Sequence, residues 1–329
     1  MFTFRMKYAI TSCAIVVGLG AGIAVNPHAQ AAGYPDRPIQ VIIPNPPGGG
    51  TDTLGRLVLN ATAQSTGWEL VAMNRPGAAG AIGLEQAARA EPDGYTIVLG
   101  ETSNLSINPS LYKNLKYEPA SDFAPIISIG TVPLVMVVAA DAPYKTVDEF
   151  LAAARKSELI LGSAGKGTVG HLVGAMMESA ASIKLLHAPY KGAAAALNDL
   201  IGGRVSLFFG SYPAVRSYLE SGRLRALAVT SAARADYLAS VPTLAESGLP
   251  GFEAVAWYGF VAPAGVDSAR VDALADAFEQ TLTAPAMRKR LNDDGVTVDG
   301  RKGAAFTSFI AAETKKWGDT VESAKLQAD

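Results

Sequence analysis

Cysteine is nearly absent from this 329-residue chain, which contains only Cys13. A lipid anchor there is not expected, because the apolar run follows this cysteine instead of preceding it. The rest of the chain can form no disulfide, thiolate metal site or cysteine nucleophile. Strong charge is also missing: the formal net charge is −2, and no basic run is interleaved with aromatic residues. A nucleic-acid partner is therefore not expected.

Long apolar runs are scarce as well, and the one that stands out is N-terminal. Arg5 and Lys7 give a positive start, residues 9–25 are apolar and uncharged, and Ala29-Gln30-Ala31 is a small-x-small cleavage site. We therefore expect residues 1–31 to be an export signal that is cut after Ala31. A membrane anchor is the alternative, but the run is short for a span and rich in glycine and alanine. The mature chain is expected to be soluble and periplasmic.

Strand-like apolar runs alternate with helical patterns in the remaining chain. The pattern is β-α-β-α-β up to residue 99, which predicts a parallel sheet with helices on both faces. A second α/β pattern follows, and the C-terminus is helical. The predicted strands are 39–43, 70–72, 96–99, 134–138, 159–161, 184–187, 205–209 and 224–229, and the predicted helices include 80–90, 168–182 and 193–201.

Two α/β units followed by helices suggest that the chain crosses into a second unit and later returns. The candidate crossings are residues 131–138 and 254–261, where Pro133 and Gly259 would help the chain bend. This topology lets two lobes hinge around a ligand. Open parallel sheets bind ligands beyond the carboxyl ends of their strands, so the strand-to-helix loops are the candidate sites.

The first such loop, residues 44–52, contains three consecutive glycines. Glycines let backbone N–H groups approach a ligand with no Cβ in the way, and a helix start favours an anion. Thr51 or Asp52 is expected to cap the helix. The alternative is an ordinary tight turn with an N-cap, which would not need three glycines. A Walker loop is excluded, because no Gly-Lys-Ser/Thr follows.

The second loop, residues 163–171, spells G-x-G-x-x-G between Gly165 and Gly170. A dinucleotide site would need an acidic residue about 20 positions on. Residues 187–191 contain none, so no cofactor is expected. An anion-receptive helix start remains, with Thr168 as N-cap and Ser163 offering a hydroxyl. Two such loops facing each other would suit a carboxylate ligand.

Three further polar residues are candidates at strand ends. Tyr190, beside Lys191, would stack on or hydrogen-bond the ligand, and Ser103 and Asn104 would line the cleft. A solvated strand end and a polar turn explain these residues nearly as well. Catalysis finds little support, because G-x-S-x-G and H-E-x-x-H are both absent and His171 is more simply a structural residue at a helix start.

Ten stretches spread over the chain share one family pattern: residues 34–39, Val41-Ile42-Ile43-Pro44, Pro47-Gly48-Gly49-Gly50-Thr51-Asp52, 74–80, 92–96, 121–125, 165–172, Pro189-Tyr190-Lys191-Gly192, 199–203 and 257–265. Through them the chain resembles the Bug family, the periplasmic substrate-binding proteins of tripartite tricarboxylate transporters, over essentially its whole mature length. The resemblance implies an α/β, two-lobed periplasmic binding protein-like fold (type II, Venus-flytrap), each lobe a mostly parallel sheet flanked by helices. The implied lobes are 32–132 with 256–329, and 133–255.

The resemblance also implies a non-enzymatic receptor, a monomer, that gives a small carboxylate to inner-membrane transporter subunits. The carboxylate would be a dicarboxylate, a tricarboxylate or an aromatic acid. The implied contacts, some through water, are Gly48, Gly49, Gly50, Thr51, Asp52, Ser163, Gly165, Gly167 and Thr168. A sensor that presents its ligand to a signalling protein, or an exported enzyme using the same cleft, remains an alternative.

Two positions depart from the family pattern. Asn45 stands where the family usually has an aromatic residue, and it is expected to make a polar contact instead. Gly210 stands where the family often has an acid that is associated with an amino group on the ligand. Its absence argues against an amino-acid ligand.

Overall fold

The structure is a computed structural model, and it describes residues 1–3 and 33–327. The expected export signal and its cleavage site thus lie almost wholly outside the described residues. Among the described residues no helix has the length and apolar character needed to cross a bilayer.

The elements up to the middle of the chain are, in order, β1 Ile39–Ile43, α1 Gly50–Thr66, β2 Leu70–Asn74, α2 Ala81–Ala88, β3 Thr96–Glu101, a π-helical segment Thr102–Ile107, α3 Asn108–Leu111, α4 Pro119–Asp122, β4 Phe123–Ala139, α5 Val147–Ala154 and β5 Leu159–Ser163. Then follow α6 Val169–Ala181, β6 Leu185–Pro189, α7 Ala193–Ile201, β7 Leu207–Ser211, α8 Tyr212–Glu220, β8 Leu224–Val229, β9 Val255–Pro263, α9 Ser268–Thr283, α10 Pro285–Asp293, β10 Thr297–Val298 and α11 Gly303–Ser323.

The strands lie in the order β2-β1-β3-β9-β4-β7-β5-β6, and β8 and β10 also pair with β4. We call β2-β1-β3-β9 with the N-terminal part of β4 the β1 sheet, and the C-terminal part of β4 with β8, β7, β5 and β6 the β5 sheet. Each contains three parallel strands, as predicted. The sheets are more mixed than predicted, because β4 and β9 run antiparallel to their neighbours.

Strand β4 belongs to both sheets. Its residues up to Pro133 pair with β9, where Pro133 faces Val255, and from Leu134 onward it pairs with β7 and β8. The strand is much longer than the predicted 134–138. The prediction did not include its N-terminal part, because Pro125, Gly130 and Pro133 interrupt the apolar sequence pattern there. Two register shifts accommodate these interruptions while the pairing continues.

Gly259 in β9 makes room for a neighbouring side chain. A Cβ there would lie 2.4 Å from Cζ of Phe306 in α11 and 2.9 Å from the backbone oxygen of Ile127. Phe306 and Trp257 are fully buried and meet edge to face, with ring centroids 5.8 Å apart. The glycine therefore serves the packing of α11 on the sheet, a role that its place in an extended run did not indicate.

Most predicted strands and helices are confirmed to within a few residues, but several short helices are not predicted. These are α3, α4 and α8, whereas α10 lies in the C-terminal part that is predicted to be helical. Helix α8 begins directly after β7, with Pro213 in its first turn, and most of its residues are only partly buried. The predicted strand 205–209 lies two residues further on, at Leu207–Ser211. Val205 is buried like a strand residue but precedes the strand.

Candidate functional site

A cleft of about 830 Å³ lies where the β1 sheet and the β5 sheet meet. Its walls are the loops that follow β1, β2, β5 and β6 and the helical segments that follow β3 and β7, together with parts of β4, β7 and β9. All six segments leave the carboxyl ends of their strands, which is the edge where open α/β sheets bind ligands.

The first glycine loop is held by Asp52. Its Oδ2 accepts the backbone N–H of Gly48 at 2.9 Å, and its Oδ1 accepts from Arg56 Nε and Asn74 Nδ2, both at 2.8 Å. Burial would raise the pKa of Asp52, but the hydrogen bonds from Asn74, Gly48 and Arg56 outweigh burial and hold this pKa below its ordinary value. Gly48 has φ +77, a conformation that favours glycine.

The predicted cap of α1 is wrong. The N-cap is Gly49, which has no side chain to donate or accept, and Thr51 and Asp52 lie inside the first helical turn. Asp52 instead reaches back past the cap to Gly48, so one of the loop's N–H groups is satisfied by a charged acceptor. The helix start at Gly49 and Gly50 remains open toward the cleft.

The second loop is closed by hydrogen bonds between its own residues. Ser163 Oγ donates to Gly165 O at 3.0 Å and accepts the Gly165 N–H at 3.2 Å. Thr168 is the N-cap of α6, as predicted, but its hydroxyl donates backward to Gly165 O at 2.8 Å and accepts no helix N–H. The predicted N-cap is therefore confirmed, and because the Thr168 side chain accepts no helix N–H, the first N–H groups of α6 are left for other partners.

Two histidines lie directly beneath this loop. His187 Nε2 is 2.7 Å from Ser163 Oγ, and His171 Nδ1 accepts the Gly167 N–H at 3.2 Å. Burial, then the neighbouring His187 and Lys166, lower the pKa of His171 to about 3. Burial and Lys166 lower the pKa of His187 to about 4. Both rings are thus neutral near pH 7, and they position the loop.

Glu101 lies at the floor of the cleft, at the end of β3. It is only 6% exposed, and burial raises the pKa of its carboxyl, against the effect of hydrogen bonds from Asn45 and Thr51. Asn45 Nδ2 donates to Oε1 at 3.0 Å, and Thr51 Oγ1 donates to Oε2 at 3.4 Å. Tyr258 of β9 pairs with Glu101 across the sheet, and burial and Glu101 together raise the Tyr258 pKa.

Tyr190 lines the cleft, and its hydroxyl is already engaged. It donates to Asp199 Oδ2 at 2.7 Å, and Asp199 also pairs with Arg204 at 2.7 Å. The side chain packs in part against the apolar core of the β5-sheet side, and its hydroxyl is held by Asp199 of α7. Stacking is therefore the contact that this geometry makes available to a ligand.

The predicted site residues fall into two groups. Eight line the cleft: Asn45, Gly49, Gly50, Thr51, Ser103, Gly165, Thr168 and Tyr190. Five lie behind it, where they shape the loops: Gly48, Asp52, Asn104, Ser163 and Gly167.

Several cleft residues are absent from the prediction. They are Glu101, Lys166, Ser211, Tyr258 and the segment 76–80 after β2. The segment 76–80 has a usable signal, since it is a glycine-containing loop at the carboxyl end of a parallel strand. Tyr258 has none, because β9 reads only as a buried strand.

The two sides of the cleft touch at glycine positions. A Cβ on Gly50 would lie 2.2 Å from Ser211 Oγ, and one on Gly167 would lie 2.6 Å from Leu111 Cδ2. In each case one partner belongs to the β1-sheet side and the other to the β5-sheet side. Glycine thus allows the two sides to close on each other around the cleft.

A family model described as the tripartite tricarboxylate transporter family receptor, TctC, matches residues 54–326. The chain belongs to this receptor family. BugT of Bordetella pertussis is 34% identical over 312 residues, which cover 93% of this chain and 95% of BugT.

Solved structures agree with the family assignment. The periplasmic binding protein BugD is 34% identical, with a TM-score of 0.85 over 90% of this chain and 100% of its own. Rpa4515 of R. palustris, solved with adipate, is 31% identical, with a TM-score of 0.86 over 89% and 99%. The predicted two-lobed, periplasmic binding protein-like fold of this receptor is confirmed, and so is its class as a solute receptor of tripartite tricarboxylate transporters.

Proposed function

We propose that this receptor captures a small carboxylate in the cleft between its sheets and delivers it to the membrane subunits of a tripartite tricarboxylate transporter. The observation that carries the proposal is the pairing of two helix starts, at Gly49–Gly50 and at Thr168, which both line one cleft. Each presents backbone N–H groups and a positive dipole end, which favour an anion. The adipate bound to Rpa4515 supports a carboxylate as that anion.

The lobes are proposed to be residues 32–132 with 256–329, and 133–255. The change of β4 partners between Pro133 and Leu134 supports the first boundary, and the start of the β4–β9 pairing at Val255 supports the return. With both connections in extended strands, closure would need only small changes of backbone angle near these residues.

The ligand-binding residues are proposed to be the cleft-lining eight, with the five behind them holding the loops in place. Hydrogen bonds from backbone N–H groups to a charged acceptor contribute about 1.5–3 kcal/mol each. The protein is further proposed to act in the periplasm, without a cofactor, as a monomer and not as an enzyme. The description of its relative BugD as a periplasmic binding protein supports the proposed location.

The test is calorimetric titration of residues 32–329 with adipate, malate, citrate and benzoate, in wild type and in Gly49→Leu. Gly49 has φ −76, and the nearest atom to a Cβ there is Pro46 O at 3.5 Å, so a side chain fits the fold but enters the cleft. We expect at least one acid to bind wild type with a micromolar or lower Kd. Gly49→Leu should lose this binding while keeping its melting temperature within a few degrees. Retained affinity in the variant would contradict the proposed site.

A further inference from the structure

Glu101 is a buried carboxyl at the floor of a cleft that is proposed to hold an anion. It lines the cleft and is 6% exposed. Its two side-chain donors, Asn45 at 3.0 Å and Thr51 at 3.4 Å, are both neutral. It is also the N-cap of the π-helical segment, where it faces the backbone N–H of Asn104. Among the described residues no arginine or lysine forms a salt bridge with it.

A carboxylate in such a place is incompletely stabilised. Removal from water disfavours the ionised form, and neutral donors offset that cost only in part. Burial raises the pKa of Glu101 accordingly. A positively charged group arriving in the cleft would therefore be attracted to this carboxyl more strongly than to an acid on the surface.

The amide beside Glu101 also lacks a donor. Asn45 Nδ2 points at Glu101, which leaves Asn45 Oδ1 buried with no hydrogen-bond partner in the part of the chain that the structure describes. A buried acceptor without a donor is unfavourable. This corner of the cleft thus holds a buried acceptor without a donor directly beside the carboxyl of Glu101.

Positive charge lies on the β5-sheet side of the cleft instead. Lys166 in the second loop and Lys191 after β6 both line it, as does the start of α6. The cleft therefore has a buried carboxyl without a charged partner at the end of β3 and two lysines on the β5-sheet side. This arrangement is complementary to a ligand that carries both a cationic and an anionic group.

We propose that Glu101 is a specificity-determining residue that pairs with a cationic nitrogen, most simply an ammonium group, on the carboxylate that this receptor binds. The assignment rests on the proposed function, because the glycine loops hold the carboxylate end of the same ligand. An ammonium group has three N–H donors, which matches Glu101 and, after a small shift of its amide, Asn45 Oδ1.

The assignment also answers the expectation drawn from Gly210. That expectation considered only an acid at position 210, which lies within β7. Gly50 abuts Ser211, the residue after Gly210, and the adjoining Thr51 contacts Glu101. An acid from β3 thus reaches the neighbourhood in which the acid at position 210 is missing.

The experiment measures by calorimetry how tightly residues 32–329 bind three ligand series. Within each series the carbon skeleton is the same, and one carbon carries an amino group, a hydroxyl group or hydrogen. The series are aspartate, malate and succinate; glutamate, 2-hydroxyglutarate and glutarate; and phenylalanine, phenyllactate and phenylpropionate. In at least one series we expect the amino member to bind at least 10-fold more tightly than the plain acid. Glu101→Gln should reduce that preference at least 10-fold, mainly through weaker binding of the amino member. Glu322→Gln, which removes an exposed acid of α11, should leave the preference unchanged.

The outcomes separate this assignment from the proposed function. If plain acids bind wild type and their amino partners bind no better in any series, the assignment is overturned and the carboxylate receptor stands. The same holds if Glu101→Gln keeps the preference, because glutamine mimics a neutral Glu101. If no acid of any series binds wild type but adipate, citrate or benzoate does, the assignment is overturned and the carboxylate receptor stands. If none of these acids binds either, both are overturned. If Glu101→Gln fails to fold, the ratio of the wild-type Kd values for the plain acid and its amino partner still tests the assignment.

Discussion

The imidazole rings of His171 and His187 stack face to face, with centroids 3.8 Å apart and an angle of 11° between their planes. One ring comes from α6 and the other from β6, and each has one nitrogen bonded to the second loop. The pair therefore fixes the loop to the sheet through two neutral rings.

Acidification should destabilise the fold through this pair. Because their folded-state pKa values, about 3 and about 4, lie below the ordinary 6.5, the unfolded chain binds more protons as the pH falls. Their contribution is fully present above pH 6.5 and is lost as the pH falls toward those folded values. The loss is at most about 1.4 kcal/mol per pH unit for each histidine, and less for the partly exposed His187.

The measurement is urea unfolding between pH 7 and pH 5, in wild type and in His187→Phe. Phenylalanine keeps a ring to stack on His171 but has no proton to bind, so the variant should lose less stability over this range. It should also bind the carboxylate ligand several-fold more weakly, because Ser163 loses its partner. Parallel pH dependences for the two proteins would argue against the pair as the origin.

The contact between Gly50 and Ser211 should control closure of the cleft. A valine at position 50 would collide with Ser211 Oγ, which lies 2.2 Å from the position of its Cβ. We expect Gly50→Val to weaken ligand binding at least 10-fold and to leave the melting temperature nearly unchanged, since the two sides can separate. In the double variant with Ser211→Gly, much of the affinity should return. No rescue would indicate that the valine blocks the ligand itself.

Asp52 should be required for the shape of the first glycine loop. Asp52→Asn keeps the size of the side chain but weakens charge-assisted bonds to Gly48 and Arg56. We expect it to lower the free energy of unfolding by about 1–2 kcal/mol and to weaken ligand binding. Asp319→Asn, in an exposed pair with Lys315, is the matched control and should change neither quantity measurably. Equal effects of the two substitutions in urea titrations and calorimetry would refute this role.

The ring of Tyr190, rather than its hydroxyl, should matter for binding. Since Asp199 already accepts the hydroxyl proton, Tyr190→Phe should change the ligand Kd by no more than about 3-fold, whereas Tyr190→Ala should weaken binding at least 10-fold. Calorimetry on both variants measures this. A large loss in Tyr190→Phe would mean that the hydroxyl leaves Asp199 to meet the ligand.

Much of the fold could be predicted because the signals are local. Gln40 is the only polar residue in the run 39–43. Three glycines follow at residues 48–50, and apolar residues at helical spacing begin soon after them. These features determine a strand, a loop and a helix from fewer than thirty residues. The second loop between β5 and α6 follows the same logic, and both loops are found at the cleft.

The side-chain geometry at the helix starts could not be predicted in the same way. Thr168 is the N-cap that the sequence predicted, whereas Thr51 and Asp52 are not caps, and where these side chains point depends on partners that are not adjacent. Asp52 is drawn to Arg56 and Asn74, and the Thr168 hydroxyl turns back to Gly165. Capping propensity identified residues that are suitable as caps, but competing hydrogen bonds determined where their side chains point.

By itself, then, the sequence determined the alternating α/β elements, the two glycine loops and the family, because each of these depends on residues that are close together in the chain. Only the tertiary structure decided that β4 serves both sheets, that His171 stacks on His187, and that Glu101 meets Asn45 at the floor of the cleft. Asn45 and Glu101 are 56 residues apart in the chain. Contacts at such a separation arise from the packing of parallel strands, whose carboxyl ends meet at one edge whatever their distance in sequence.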